Sequence, residues 1–167
     1  MTYDYLINKF STDTESRRKA IFSTLFIVTN KLQTLFDNHI PELSLKQFML
    51  LSLVRQSSDR LTFTRLGELL GCSRQNIKKL AEALMKKGFI SIQQSPYDSR
   101  AMCICPTEKA DAFFKKDFSP YQDELKYLFE VYTDDEIKTL FALLSKLYTG
   151  IENLEKRIGE DEDDSNL

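Results

Sequence analysis

The stretch FTRLGELLGCSRQNIKKLAEALMKKG, from Phe63 to Gly88, restricts the fold more than any other part of the chain. Thr62 has the side chain of a helix N-cap, and Leu66, Leu69 and Leu70 recur at helical spacing, so a short helix with these three leucines facing inward is expected. Gly71 supplies the sharp turn that ends it, because glycine alone enters the left-handed backbone region freely. Ser73 then caps a second helix whose stripe of Ile77, Leu80, Ala81 and Leu84 marks a buried face, and Gly88 stops it. A short helix, a glycine-containing turn and a second helix follow the helix-turn-helix order.

The segment after this pair narrows the class. In FISIQQSPYDSRAMCICPT, Phe89 and Ser91 alternate with Ile90 and Ile92, and Met102 and Ile104 with Cys103 and Cys105. This period of two, interrupted by the turn-rich SPYDS, predicts a two-stranded hairpin, a wing. Ahead of the pair, Ile21, Leu25, Val28, Leu32 and Leu35 with Phe22, Phe26 and Phe36 predict a helix over about 15–36 that buries two faces. Ser44-Leu45-Lys46-Gln47 has the form of a capping box and opens another helix, ended near Ser57-Ser58-Asp59. After the wing, Thr107 is expected to cap TEKADAFFKKDF, and Ser119-Pro120 fits either a kink or a fresh start. The last helix opens at Thr133-Asp134-Asp135-Glu136, another capping box. It carries Ile137, Leu140, Leu144, Leu147, Ile151, Leu154 and Ile158 at alternating threes and fours, a seam of three heptads.

These elements predict a mainly α fold with a small β-hairpin wing. The expected organisation is an N-terminal dimerisation helix (1–40), a winged helix-turn-helix domain (41–106), C-terminal dimerisation helices (107–158) and an acidic disordered tail (159–167). The final seam is longer than a small winged domain can cover. Together with the two-faced first helix it predicts a symmetric homodimer joined through Ile21, Leu25 and Val28 on one helix and Leu140, Leu144, Leu147, Ile151 and Leu154 on the other.

Composition removes most other functions. No apolar run reaches the about 18 residues of a membrane span, and the N-terminus lacks a basic region followed by an apolar one, so no membrane association is expected and a cytoplasmic location follows by default. The chain has one histidine, His39, and five glycines among its 167 residues. No Ser/His/Asp or Cys/His group can be assembled except through His39, and no phosphate-binding glycine loop is present, so no enzyme activity, catalytic residue or cofactor is expected. Cys72, Cys103 and Cys105 lack metal-ligand spacing, which predicts reduced thiols and no metal site.

Charge is segregated. The chain carries a formal net charge of -2, yet between Arg60 and Lys109 nine basic residues stand against four acidic ones. On the second helix of the pair, Arg74, Gln75, Asn76, Lys78 and Lys79 lie opposite the apolar stripe or in the first turn. A helix of this width fits the DNA major groove, where Arg and Lys reach guanine acceptors and Asn or Gln reads adenine with two hydrogen bonds. Ser73 and the first-turn N–H groups can meet phosphate, helped by the helix dipole. Arg100, near the hairpin tip and oriented by Asp98, can enter a narrow minor groove of strong negative potential. Double-stranded DNA is therefore the expected partner, bound at a pseudo-palindromic operator. The other reading is a winged-helix protein–protein module without DNA binding.

The order helix, helix, helix-turn-helix, wing with Asp98-x-Arg100, then Pro106-Thr107 opening a long helix resembles the MarR (multiple antibiotic resistance regulator) family of bacterial transcription factors. The likeness runs from Ser16 to Arg157 and is carried best by LTFTRLGELLGCSRQNIKKLAEALMKKGFISIQQSPYDSR. It implies a winged-helix dimer whose recognition helix corresponds to Ser73 through Lys79 and whose wing-tip contact corresponds to Asp98 and Arg100. Where the family commonly has two arginines after the aspartate, this chain has Ser99 and then Arg100. Where the family has Leu-Thr-x-x-Gly after the wing, it has Pro106-Thr107-Glu108-Lys109-Ala110. The resemblance also implies a transcriptional regulator, in the first instance a repressor, released by a small aromatic effector or by thiol oxidation. Cys72 is the redox candidate, since a position just before a helix N-terminus in basic surroundings lowers a thiol pKa.

Overall fold

Asp13 accepts hydrogen bonds from the Ser16 amide (2.8 Å) and hydroxyl (2.7 Å), and so caps the first helix. These bonds, the backbone one foremost, hold its carboxyl below the ordinary carboxylate range. In this computed structural model the described residues are 9, 12–40, 42–57, 60–95, 100 and 102–164. The first helix, α1, spans Thr14–His39 and buries none of its side chains within the chain. Ile21, Phe22, Phe26, Ile27 and Val28 are exposed on it.

The chain divides into two compact units, 1–118 and 119–167. In the first, Ile40 and Leu43 are buried after α1. Between them Glu42 adopts a left-handed backbone (φ 68°), a conformation that costs a residue with a Cβ about 1–2 kcal/mol. Helix α2 (Leu45–Gln56) opens at the expected capping box: Ser44 Oγ accepts from the Gln47 amide, and Gln47 Oε1 accepts from the Ser44 amide. Helix α3 (Phe63–Leu70) is capped by Thr62 and closed by Gly71 in the left-handed region, and α4 (Arg74–Lys86) is capped by Ser73. After α4 the amides of Gly88 and Phe89 return to the carbonyls of Met85 and Leu84, with Gly88 at φ 78°. That pattern satisfies carbonyls the helix leaves open and turns the chain into the hairpin.

Strands β1 (Ile90–Gln94) and β2 (Met102–Pro106) pair antiparallel, Ile90 opposite Pro106 and Gln94 opposite Met102. Thr62 bridges to Cys103, and Ile104 donates to the Leu61 carbonyl (3.4 Å), so the segment entering α3 lies along the hairpin. Leu50, Leu51, Leu66, Ile77, Leu84, Phe89 and Ile104 form the centre, each 2% exposed or less. Each such side chain stabilises the fold by about 1.5–3 kcal/mol relative to exposure. Leu69, expected to face inward from α3, is instead exposed, and Leu70 is half-buried. Helix α3 is only two turns long, and Leu66 with Gly67 fills its contact with α4.

Helix α5 (Glu108–Ala112) comes directly after the wing. Thr107, the expected cap, makes no side-chain bond to it; its hydroxyl donates to the Gly88 carbonyl (2.7 Å) instead. One hydroxyl cannot face both the α5 amides and the turn after α4, and the longer-range bond holds it. The helix widens into a π turn at Phe113–Asp117, where the Phe118 amide reaches the Phe113 carbonyl (2.8 Å). This extra residue brings Phe113, Phe114 and Phe118 against one another and against Phe36, Phe48 and Phe89, with Phe48 and Phe118 ring centroids 4.4 Å apart.

In the second unit, α6 (Ser119–Phe129) is a fresh helix rather than a kinked continuation. Helix α7 (Asp134–Asp164) opens at the expected capping box, with Glu136 Oε2 accepting from the Thr133 amide (2.8 Å) and the Glu136 amide donating to Thr133 Oγ1 (3.3 Å). Leu140 is half-buried, and Ile137, Leu144, Leu147, Ile151, Leu154 and Ile158 are exposed. The acidic run Glu160–Asp164, expected in a disordered tail, continues the helix. Once a helix is nucleated, each further residue adds a hydrogen bond, so the run extends at little cost.

Candidate nucleic-acid interface

Helix α4 presents its polar residues because the other face is fully engaged. Ile77, Ala81 and Leu84 are buried with no exposed surface, while Arg74, Gln75, Asn76, Lys78 and Lys79 are all exposed. Ser73 Oγ accepts from the Asn76 amide (3.2 Å), which fixes where the first turn begins and leaves the remaining first-turn donors pointing outward along the dipole.

The angle between α3 and α4 depends on a residue that composition and patterning do not single out. A Cβ at Gly67 would lie 2.6 Å from the backbone oxygen of Cys72. The Gly67 carbonyl accepts from the Cys72 amide (2.8 Å), so both polar groups of the Cys72 backbone lie against α3 at this point. The sequence signal is the glycine itself, placed inside a two-turn helix where it weakens helix propensity and so requires a packing reason.

Between α4 and the hairpin runs a groove of about 450 Å³, lined by Arg74, Gln75, Lys78 and Glu82 from the helix, Ile92, Arg100 and Met102 from the wing side, and Phe63. Arg74, Gln75, Lys78 and Arg100 thus share one concavity with an apolar floor. Ser73, Asn76 and Lys79 are exposed on α4 but outside this lining. Glu82 is an acidic member that the pattern of basic residues does not reveal. Its Oε1 lies 3.9 Å from Lys78 Nζ, and both side chains are largely exposed. Asp98, expected to orient Arg100, lies outside the described residues.

The basic surplus of the middle third does not all face this groove. Arg65 pairs with Glu68 (2.8 Å) on α3. Lys87 and Lys109 turn to the opposite end of α4, where Lys109 Nζ lies 3.0 Å from Glu42 Oε2. Cys72 is half-buried and its thiol donates to the Leu70 carbonyl (3.5 Å), whereas Cys103 is buried with its thiol on the Arg60 carbonyl (3.4 Å). Among the described residues, no group of three His, Cys, Asp or Glu side chains could hold a metal ion, and no helix is long and apolar enough to cross a membrane.

Comparison with known proteins gives this geometry a context. Residues 43–102 match the model of the MarR family. The uncharacterized HTH-type transcriptional regulator YcgE of Bacillus subtilis is 27% identical over 86 residues, 52% of this chain and 56% of its own length. The transcriptional repressor MprA of Escherichia coli is 27% identical over 107 residues, 64% of this chain and 61% of its own. The chain therefore spans less than two thirds of the length of these two relatives. Among solved structures, a MarR/EmrR family transcriptional regulator from Acinetobacter sp. ADP1 superposes with a TM-score of 0.70 at 19% identity, covering 81% of this chain and 97% of that one. A mutant MarR from E. coli complexed with operator DNA superposes with a TM-score of 0.69 at 22% identity, covering 81% and 99%. The fold is thus a winged helix, mainly helical with a two-stranded antiparallel hairpin.

Proposed function

We propose, from the match of residues 43–102 to the MarR family model, that the chain is a regulator of that family: a dimeric, sequence-specific DNA-binding transcriptional regulator acting as a repressor. The observation that carries the reading is the shared groove: the exposed first turn of α4 and Arg100 of the wing open onto one concavity. In this reading Arg74, Gln75 and Asn76 contact base edges in the major groove, and Lys78 and Lys79 contact phosphates. Ser73 and the first-turn amides meet a phosphate at the positive end of the helix, and Arg100 enters the flanking minor groove. The name of MprA as a repressor and the operator DNA in the E. coli MarR complex support it.

Two copies joined through the apolar faces of α1 and α7 present two such helices to a pseudo-palindromic operator, with half-sites about 34–36 Å apart. A small aromatic effector, or oxidation of Cys72, releases the DNA by favouring a dimer geometry in which the two helices no longer match that spacing. Either signal acts only through a difference in affinity for the two geometries.

The decisive experiment is selection of bound sequences from a random duplex pool. Enrichment of a two-fold symmetric consensus is expected, with an affinity that falls steeply as salt rises because phosphate-bound cations are displaced. No enrichment, with binding absent even at low ionic strength, refutes the reading and favours a protein–protein module.

A further inference from the structure

At the end of α4 remote from the candidate interface, two ammonium groups join three segments that are distant in sequence. Lys87 Nζ donates to the Glu42 carbonyl and to Gln47 Oε1 (2.9 Å). Lys109 Nζ donates to Glu42 Oε2 (3.0 Å) and to the Lys87 carbonyl (3.0 Å), and lies 4.4 Å from the centroid of the buried Phe89 ring. The segments so tied are the passage from α1 into α2, the last turn of α4, and the start of α5 beyond the wing.

Several features mark this cluster as more than a pair of surface charges. Gln47 Oε1 also accepts the Ser44 amide in the α2 capping box, so one oxygen serves the start of α2 and the end of α4. Glu42 holds a left-handed backbone, and its carbonyl is the atom that Lys87 grips. Lys109 places a cation on the carbonyl of Lys87, the residue that caps the C-terminal end of α4, where the helix dipole is negative. Thr107, two residues earlier, bonds the Gly88 carbonyl at the same turn.

We propose that Glu42, Lys87 and Lys109 are positioning residues for DNA recognition. They form an electrostatic latch that fixes the C-terminal end of α4 against the passage from α1, so that the angle at which its N-terminal turn meets DNA is set from the far end. The latch rests on the proposal that the chain binds DNA. It also gives α1 a route to the recognition helix: a change in how α1 leaves Glu42 is carried to α4 by two donors rather than through the core.

The latch makes a prediction of sign. Removing a carboxylate from a protein that binds a polyanion strengthens binding if charge alone matters. If Glu42 is a positioning residue, Glu42→Gln weakens it. Using the duplex enriched from the random pool as probe, Glu42→Gln and Lys109→Gln are each expected to lower affinity by about fivefold or more, the range of a modest coupling between sites. The slope of log affinity against log salt should stay at the wild-type value, because no phosphate contact is lost. The double variant should be no weaker than the worse single, and Lys109→Arg should restore most of the affinity. Amide hydrogen exchange at Lys87, Gly88 and Phe89 should quicken in Glu42→Gln while that of Leu50 and Leu51 stays slow, which separates a loosened latch from general unfolding.

Unchanged or tighter binding by Glu42→Gln, or a salt slope reduced by about 0.9 in Lys109→Gln, as for one lost phosphate contact, overturns the latch. Unchanged exchange at the end of α4 overturns it independently of DNA. A wild-type protein that binds no duplex overturns the DNA reading itself, and with it any role of these residues in recognition.

Discussion

Two glycines, each inside a helix, should respond to the same substitution with opposite signs. Gly67→Ala and Gly150→Ala both replace glycine within a helix, and both gain about 1 kcal/mol from helix propensity, largely through the unfolded chain. At Gly150 nothing of its own chain lies within 4 Å of the added carbon, so no contact within the chain opposes that gain and stabilisation is expected. At Gly67 the new methyl would stand 2.6 Å from the Cys72 backbone oxygen, inside the 3.0 Å limit that real Cβ atoms respect. Backbone must move by several tenths of an ångström, and the neighbouring Cys72-to-Gly67 hydrogen bond of 2.8 Å moves with it. Forcing a methyl into a closed contact costs about 1–3 kcal/mol, and straining a backbone hydrogen bond costs up to about 1 kcal/mol more. The net for Gly67→Ala is destabilisation by up to about 3 kcal/mol, so the two variants should lie about 1–4 kcal/mol apart. Urea unfolding followed by far-UV circular dichroism measures this directly, and in heat each kcal/mol appears as about 2–4 °C for a chain of this size. If Gly67→Ala is stabilised like Gly150→Ala, the close approach of α3 to the turn does not set the angle between α3 and α4.

Other perturbations address the remaining parts. Arg100→Ala should weaken binding to the selected duplex by about 1 kcal/mol or more while leaving the urea midpoint in place; equal affinity in a titration removes the wing from the interface. If the proposed seam joins two copies, Leu147→Ala removes apolar surface twice, about 2 kcal/mol or more in total, and sedimentation equilibrium should show a dissociation constant raised about thirtyfold. A chain that stays monomeric before and after the change refutes the seam. The Glu136 carboxyl titrates below its ordinary range because the Thr133 amide and hydroxyl bond to its charged form. Its contribution to stability is therefore present above that range and lost as pH falls below it, through the lowered pKa of the folded state. Glu136→Gln, which still accepts those bonds but does not titrate, should flatten the acid limb of the unfolding profile, and parallel limbs would contradict this assignment.

The features legible in the sequence are those decided within a few residues. Ser44 with Gln47, Thr62, Ser73 and Thr133 with Glu136 each satisfy helix amides three residues ahead, and each forms as its spacing implies. Gly71 and Gly88 both take the left-handed backbone that only glycine enters cheaply. The hairpin forms where the period of two placed it, with β1 and β2 paired directly, but burial does not alternate along it: the neighbours Cys103 and Ile104 are both buried. The features missed depend on what a residue meets across the fold. Thr107 has a cap-forming hydroxyl but spends it on Gly88, 19 residues away. The π turn at Phe113–Asp117 lets three phenylalanines reach one cluster, and nothing local distinguishes that run from ordinary helix. Of the candidate site, the polar and basic side chains Arg74, Gln75 and Lys78 of α4 and Arg100 of the wing are legible. The diversion of Lys87 and Lys109 to Glu42 is not, because a charge count carries no direction.

Among the described residues, α7 has no fully buried side chain anywhere from Asp134 to Glu160. In the proposed dimer this 31-residue helix is covered by a second copy, so folding of this part of the molecule would be tied to encounter and its stability would depend on how many copies a cell holds. Diluted chains would then leave the helix open to proteases, while accumulated ones would protect each other.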